Sequence, residues 1–99
     1  MTPDQIVVVV ERYEQELQRR KIPKHPVPLE GRSLSELNTA EQLALAHHLC
    51  DKVREYVRIP GSEWECGKFY GFLQACLSSA NCYTFTELRA HNHPLCTEA

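Results

Sequence analysis

Apolar positions recur at spacings of three and four through most of the chain. Ile6, Val9, Val10, Tyr13 and Leu17 form one stripe. Leu43, Ala46, Cys50, Val53 and Val57, widened by Leu49 and Tyr56, form a second, and Phe69, Phe72, Leu73, Cys76, Leu77 and Ala80 form a third. This period places each set on one side of an α-helix. Four consecutive valines, Val7 to Val10, conflict with it, because β-branched residues favour strands. The strong helix formers of ERYEQELQRR continue the pattern and decide for helix. Val7 and Val8 then leave the first turns apolar almost all round, so that end is expected to be covered from both sides or to meet another chain.

Start and stop signals bound these elements. Thr2, Pro3 and Gln5 supply an N-cap, a first-turn proline and a capping box, and Lys/Arg gather at 19–21 where the helix dipole favours them. Residues 22–38, with Pro23, Pro26, Pro28 and Gly31, cannot form a regular helix and read as a long connector pinned by Leu29, Leu34 and Leu37. Thr39 with Gln42 predicts a capping box for a second helix ending near Arg58. Ser62 with Glu65 predicts a third box, for a helix running to Ala80. Asn81 suits a left-handed helix stop. Thr84 with Glu87, stapled by Tyr83 and Leu88, opens a short helix from Phe85 to His91, and Pro94 begins a tail expected to fray. The unit from Glu63 to His93 is expected to organise the rest.

These elements predict an all-α, single-domain protein over residues 1–99: a small bundle of three main helices plus a short C-terminal one. The core is expected from Tyr13, Leu17, Leu43, Leu49, Cys50, Val53, Phe69, Phe72, Leu73, Cys76, Leu77, Phe85 and Leu88. The side of the third helix opposite its stripe is unusual: Gly67, Gly71, Gln74 and Ser78, flanked by Trp64 and Ala75. Each glycine costs about 1 kcal/mol relative to alanine within a helix. Two of them four residues apart fit a close approach by another backbone. The commoner source would be another helix of this chain; the sharper reading is a partner surface with Trp64 as anchor. Val7 and Val8 are the second candidate contact.

Composition adds limits. With 99 residues, 42% hydrophobic and 24% charged, the chain can bury one modest core. A net charge of −2 argues against nucleic-acid binding through bulk charge. No stretch reads as a signal peptide or nears the roughly 20 apolar residues of a membrane span, so a cytoplasmic, non-membrane protein is expected. Five cysteines, most at helical spacing, read as reduced thiols rather than a disulfide framework.

Candidate chemistry is sparse. His47 and Asp51, four apart, could seat a metal or orient an imidazole, but lack a third ligand. His91, His93 and Cys96, with Cys82 upstream, are zinc-ligand types at a spacing that matches no standard module. A metal there would tie the tail to the end of the third helix. No cysteine–histidine pair, phosphate loop or activated serine stands out, so no enzyme, cofactor or small-molecule substrate is implied. The third and fourth helices have helix-turn-helix connectivity. The would-be recognition helix, FTELRAHN, carries one Arg, one Glu and no Lys, poor equipment for phosphates.

The segment GKFYGFLQACLSSANCYTFTELRAHNHP resembles the C-terminal part of small helical proteins of phage and prophage gene clusters. In those, G-F-x-Q-x-x-L leads through Y-[ST]-x-x-E-L-R into H-N-x-P. The matching positions are Gly71, Phe72, Gln74, Leu77, Tyr83, Thr84, Glu87, Leu88, Arg89, His91, Asn92 and Pro94. LAHHLCDKVREYV is similar in style to the preceding helix. Ser78 and Ser79 depart from the bulkier residues of that pattern. The resemblance spans roughly the last half of the chain and carries no catalytic residues over. It implies a small accessory protein acting by contact. The expected function is therefore a non-enzymatic protein-interaction module, self-associating or binding a protein partner. The alternatives are a helix-turn-helix-like regulator and a small metal-binding protein.

Overall fold

The structure, a computed structural model, describes residues 1–93. It is all-helical: α1 (Pro3–Arg19), α2 (Thr39–Val57), α3 (Glu63–Ser79) and α4 (Phe85–His91), with one 3₁₀ turn at Leu34–Glu36. Among the described residues there is no strand. The expected tail and Cys96 lie outside them.

The centre is α2 rather than the Glu63–His93 unit. Gln42 to His47 are buried without a break, and the interface of α2 with α3 is the most extensive, followed by that with α1. A two-sided burial explains why the apolar stripe read from spacing omitted Ala44, Leu45 and His47. The connector covers that second side. His25 N–H donates to the Ala44 carbonyl at 3.2 Å, and Gln42 Nε2 donates to the carbonyls of Leu34 and Leu37 at 3.0 and 3.1 Å. Val27 and Leu37 are buried, while Leu29 and Leu34 pack at the edge.

Asp4, at the start of α1, pairs with Arg58 after α2 at 2.8 Å, and Ile22 beyond α1 meets His47 in mid-α2. The two helices therefore run in opposite directions. Between them Arg54 grips Glu14 with two bonds, 2.6 and 3.0 Å, and Lys24 of the connector bridges Glu14 and Asp51 at 3.1 and 3.0 Å. Burial pushes the Glu14 carboxyl up, but the hydrogen bonds from Arg54 and Lys24 outweigh it and hold the acid below its usual range.

The caps at Thr2 and Thr84 form as expected, each with a reciprocal capping box. Two others differ. The second helix is capped by Asn38 with Glu41, one residue earlier than Thr39 with Gln42. Asparagine caps as well as threonine, and the shift leaves Gln42 to hold the connector. Ser62 makes no side-chain cap bond. Its N–H bonds the Ile59 carbonyl across the turn at Gly61 (φ 82), and its backbone stands at ψ 21 rather than in the extended conformation of the Thr2, Asn38 and Thr84 caps.

The core contains Tyr13, Leu17, Leu43, Leu49, Cys50, Val53, Leu73, Cys76, Leu77 and Leu88, as expected, whereas Phe69 and Phe72 are only partly buried at its margin. Phe85 is a clear correction: it is 76% exposed. In a two-turn helix docked through Leu88 and His91, the first residue is left on the rim.

Candidate functional site

α3 turns one side outward with little on it but hydrogens. A β-carbon built on Gly67 or Gly71 would meet nothing within 4 Å. This overturns the expectation that another helix of the chain packs closely on the glycines: Gly71 only borders a groove beside α4, and Gly67 a hollow of about 280 Å³ beside Met1, Pro3, Ile6 and Ile59. Seven residues before Gly71, Trp64 is 72% exposed, and the Lys68 ammonium lies 5.1 Å from its ring centroid and 4.5 Å from that of Phe69.

α4 lies beside this face. Between the two helices runs an open groove of about 480 Å³, floored by Gly71, Gln74 and Ala75 and walled by Phe85, Leu88, Arg89 and Asn92. A second hollow of about 350 Å³ sits beyond Phe85, between Ser78 and the turn to α4. Phe85 is thus a ridge shared by both. The proposed surface residues Trp64, Gly67, Gly71 and Ser78 share this side of α3, with Ser78 half-buried. Val7 and Val8 lie elsewhere, on α1. Val8 is 42% exposed, Val7 half-covered.

Gln74 has a different role: it lies in a polar network that positions α4. Its Nε2 lies 2.8 Å from Asn92 Oδ1, 3.0 Å from the Tyr13 hydroxyl and 3.2 Å from that of Tyr70, sharing two hydrogens among three acceptors. Tyr70 donates to Asn92 Oδ1 at 2.6 Å, and Asn92 Nδ2 donates to Gln74 Oε1 at 3.1 Å. Tyr13, accepting from Gln74, directs its own hydrogen to His91 Nδ1 at 2.8 Å. Burial pushes the Tyr13 phenol well above its ordinary value and that of Tyr70 up to about 12, so both stay protonated donors. His91 packs its ring against Tyr13 and edge-on to Tyr83. The apolar stripe marked Tyr13 as core without its hydroxyl and passed over Tyr70. The available signal was that a core tyrosine needs a partner, with Gln74, His91 and Asn92 nearby to supply one.

The remaining candidate chemistry separates. His47 does not face Asp51: it is buried, and its Nδ1 donates to the Ile22 carbonyl at 2.7 Å, while Asp51 turns to Lys24 and Arg54. His47 Nε2 is buried without a hydrogen-bond partner. Of the zinc-type cluster, His91 is committed to Tyr13, Cys82 is half-buried and His93 exposed. Among the described residues no three His, Cys, Asp or Glu side chains gather to hold a metal. Burial raises the thiols of Cys66 and Cys82 and pushes those of Cys50 and Cys76 up to about 12, which disfavours the nucleophilic thiolate at all four. The helix-turn-helix connectivity is present, but the exposed side of α4 offers Arg89 beside Glu87. No helix of the described residues is long and apolar enough to cross a membrane.

Compared with protein-family models, curated proteins and solved structures, the chain matches none.

Proposed function

We propose that this chain is a non-enzymatic protein-interaction module that works through the outer face of α3 and the adjoining groove with α4. One observation carries this reading: Trp64 and Phe85, the two most exposed large apolar residues among those described, flank a glycine face on which no described segment packs. Aromatic side chains bury about 150–250 Å² each when enclosed. Covering the exposed parts of these two would remove on the order of 300 Å² from water, a gross gain of roughly 7 kcal/mol. That is comparable with the lower part of the association cost of roughly 4–15 kcal/mol. In this role the chain acts as a small accessory protein, in keeping with the resemblance of its C-terminal half to phage and prophage proteins. Burial pushes the thiols of Cys50 and Cys76 up to about 12, which leaves neither suited to act as a nucleophile.

The test compares the chain with Gly71→Leu as baits in nuclease-treated lysate of the native cell. Gly71 meets no neighbour, so the variant should fold and gain up to about 1 kcal/mol of helix propensity. A protein retained by the parent and lost with Gly71→Leu supports the reading. Identical captured sets would remove this face as the interface, and partners lost with nuclease would favour the nucleic-acid alternative.

A further inference from the structure

We infer that the α3–α4 groove receives the C-terminal residue of a partner protein, its apolar side chain between Ala75 and Phe85 and its terminal carboxylate on Arg89. This rests on the interaction reading above and names the part of the partner that docks.

Size limits the occupant. α3 lends the groove only the stretch from Gly71 to Ala75, a single turn of about 6 Å. That floor is too short to seat a helix along its length. The opposite wall is α4, only seven residues long, and Phe85 divides the groove from the second hollow. Both walls are helices, which spend their main-chain N–H and C=O groups within themselves. An extended segment passing through would therefore find no strand edge to pair with. A volume of about 480 Å³ lies in the range of ordinary small-ligand pockets. It suits one side chain and the chain end that carries it.

Hydrogen-bonding capacity sets the polarity. Gln74 Nε2 has two hydrogens for three acceptors, and Asn92 Oδ1 already accepts from Tyr70 and Gln74. Among the described residues, these two amides leave unused one Asn92 Nδ2 hydrogen and one lone pair of Gln74 Oε1. Arg89 adds an exposed guanidinium, which can only donate. No described carboxylate lines the groove or pairs with Arg89. Glu87, two residues before it, borders the other hollow and accepts from the Thr84 N–H at 2.9 Å. The groove thus offers a single positive charge and more donors than acceptors. One charge matches a monoanion, and the planar guanidinium fork matches a carboxylate. Ala75 and Phe85, both exposed, offer apolar surface to the same occupant. In a protein, an apolar side chain and a carboxylate share one residue only at the C-terminus.

The experiment pans short random peptides displayed with free C-termini against the full chain. Selected sequences are then titrated by calorimetry as free acids and as C-terminal amides. The expected peptides end in an apolar residue, and as free acids they move the amide resonances of Gly71 and Ala75. Amidation weakens them about tenfold or more, and Arg89→Gln does the same to the free acids. Added salt weakens binding as well. Gly71→Leu, whose side chain occupies the floor, abolishes it; Ala75→Leu replaces that variant should it not give the parent circular-dichroism spectrum. Amides that bind as well as acids yet still require Gly71 would overturn the terminal carboxylate and keep the groove as an interface. No selected peptides, or peptides indifferent to both Gly71→Leu and Arg89→Gln, would overturn the inference, while the lysate capture above still judges the interaction reading. Phenylacetate binding as tightly as the best free-acid peptide would assign the groove to a small carboxylate and overturn the chain end.

Discussion

His91 shows how a single ring can tie α4 to the bundle. Its Nδ1 must be a bare acceptor to receive the Tyr13 hydroxyl. Burial lowers its pKa below 6.5, the Arg12 charge on α1 lowers it further, and Glu87 on α4 opposes both weakly. The unfolded chain then binds a proton more readily than the folded one. Stability is complete above the ordinary histidine value and falls as pH drops through it toward the folded pKa. Thermal melts of the parent and His91→Gln at about pH 8 and about pH 5.5 isolate this residue, since other histidines respond alike in both. The parent should lead by about 1 kcal/mol at the higher pH, roughly one net hydrogen bond, and lose most of that lead at the lower. An equal gap at both would show that His91 does not sense pH. Little of this was legible beforehand. Spacing marks Tyr13 as an inward position, but cannot say that residues 61 and 78 positions away meet its hydroxyl. His47 makes the same point. Its sequence neighbours suggest Asp51, whereas the fold hands it a carbonyl from beyond α1.

Element ends were more legible, because they depend on three or four adjacent residues. Thr84 with Glu87 and the left-handed Asn81 follow directly from local chemistry. Where two caps compete, as Asn38 and Thr39 do, tertiary demand on Gln42 settles a matter that spacing leaves open. The stop of α1 carries no such local signal, since lysine is not a residue that favours the left-handed region. Lys21 adopts φ 60, with Ile22 N–H bonded to the Leu17 carbonyl at 3.0 Å and Lys21 N–H to that of Gln18 at 2.9 Å. Asn81 closes α3 by the same pair of bonds, Cys82 to Leu77 and Asn81 to Ser78. Left-handed backbone costs a residue with a β-carbon on the order of 1 kcal/mol, and glycine nothing. Lys21 is exposed, so Lys21→Gly should stabilise the protein by about 0.5–1 kcal/mol. Urea denaturation reads this as a higher midpoint at unchanged slope. A lower midpoint would mean that the lysine side chain contributes more than the turn costs.

At the scale of the molecule, the all-helical architecture followed from periodicity, but the central place of α2 did not. Amphipathic patterning ranks faces by the assumption that one side is wet, and α2 is covered on two. Its second cover is the proline-bearing connector, which contributes Val27 to the core even though it has no helix of its own beyond one 3₁₀ turn. If the connector is a structural layer, trimming Val27 should be felt as a core mutation. Val27→Ala removes two buried methyl groups and should cost about 2 kcal/mol, lowering the melting temperature by roughly 8–16 °C for a domain of this size. The loss should also be spatially ordered. The His25 amide, held by the Ala44 carbonyl, should exchange faster before the amides of α3 do, because opening the connector uncovers α2 without separating α2 from α3. A cost under about 0.5 kcal/mol, the usual range for surface substitutions, with unchanged exchange at His25, would make the connector a tether. In that case α2 would need cover from elsewhere on the face the connector now shields, and the groove beside Gly71 would no longer be the obvious place for a partner.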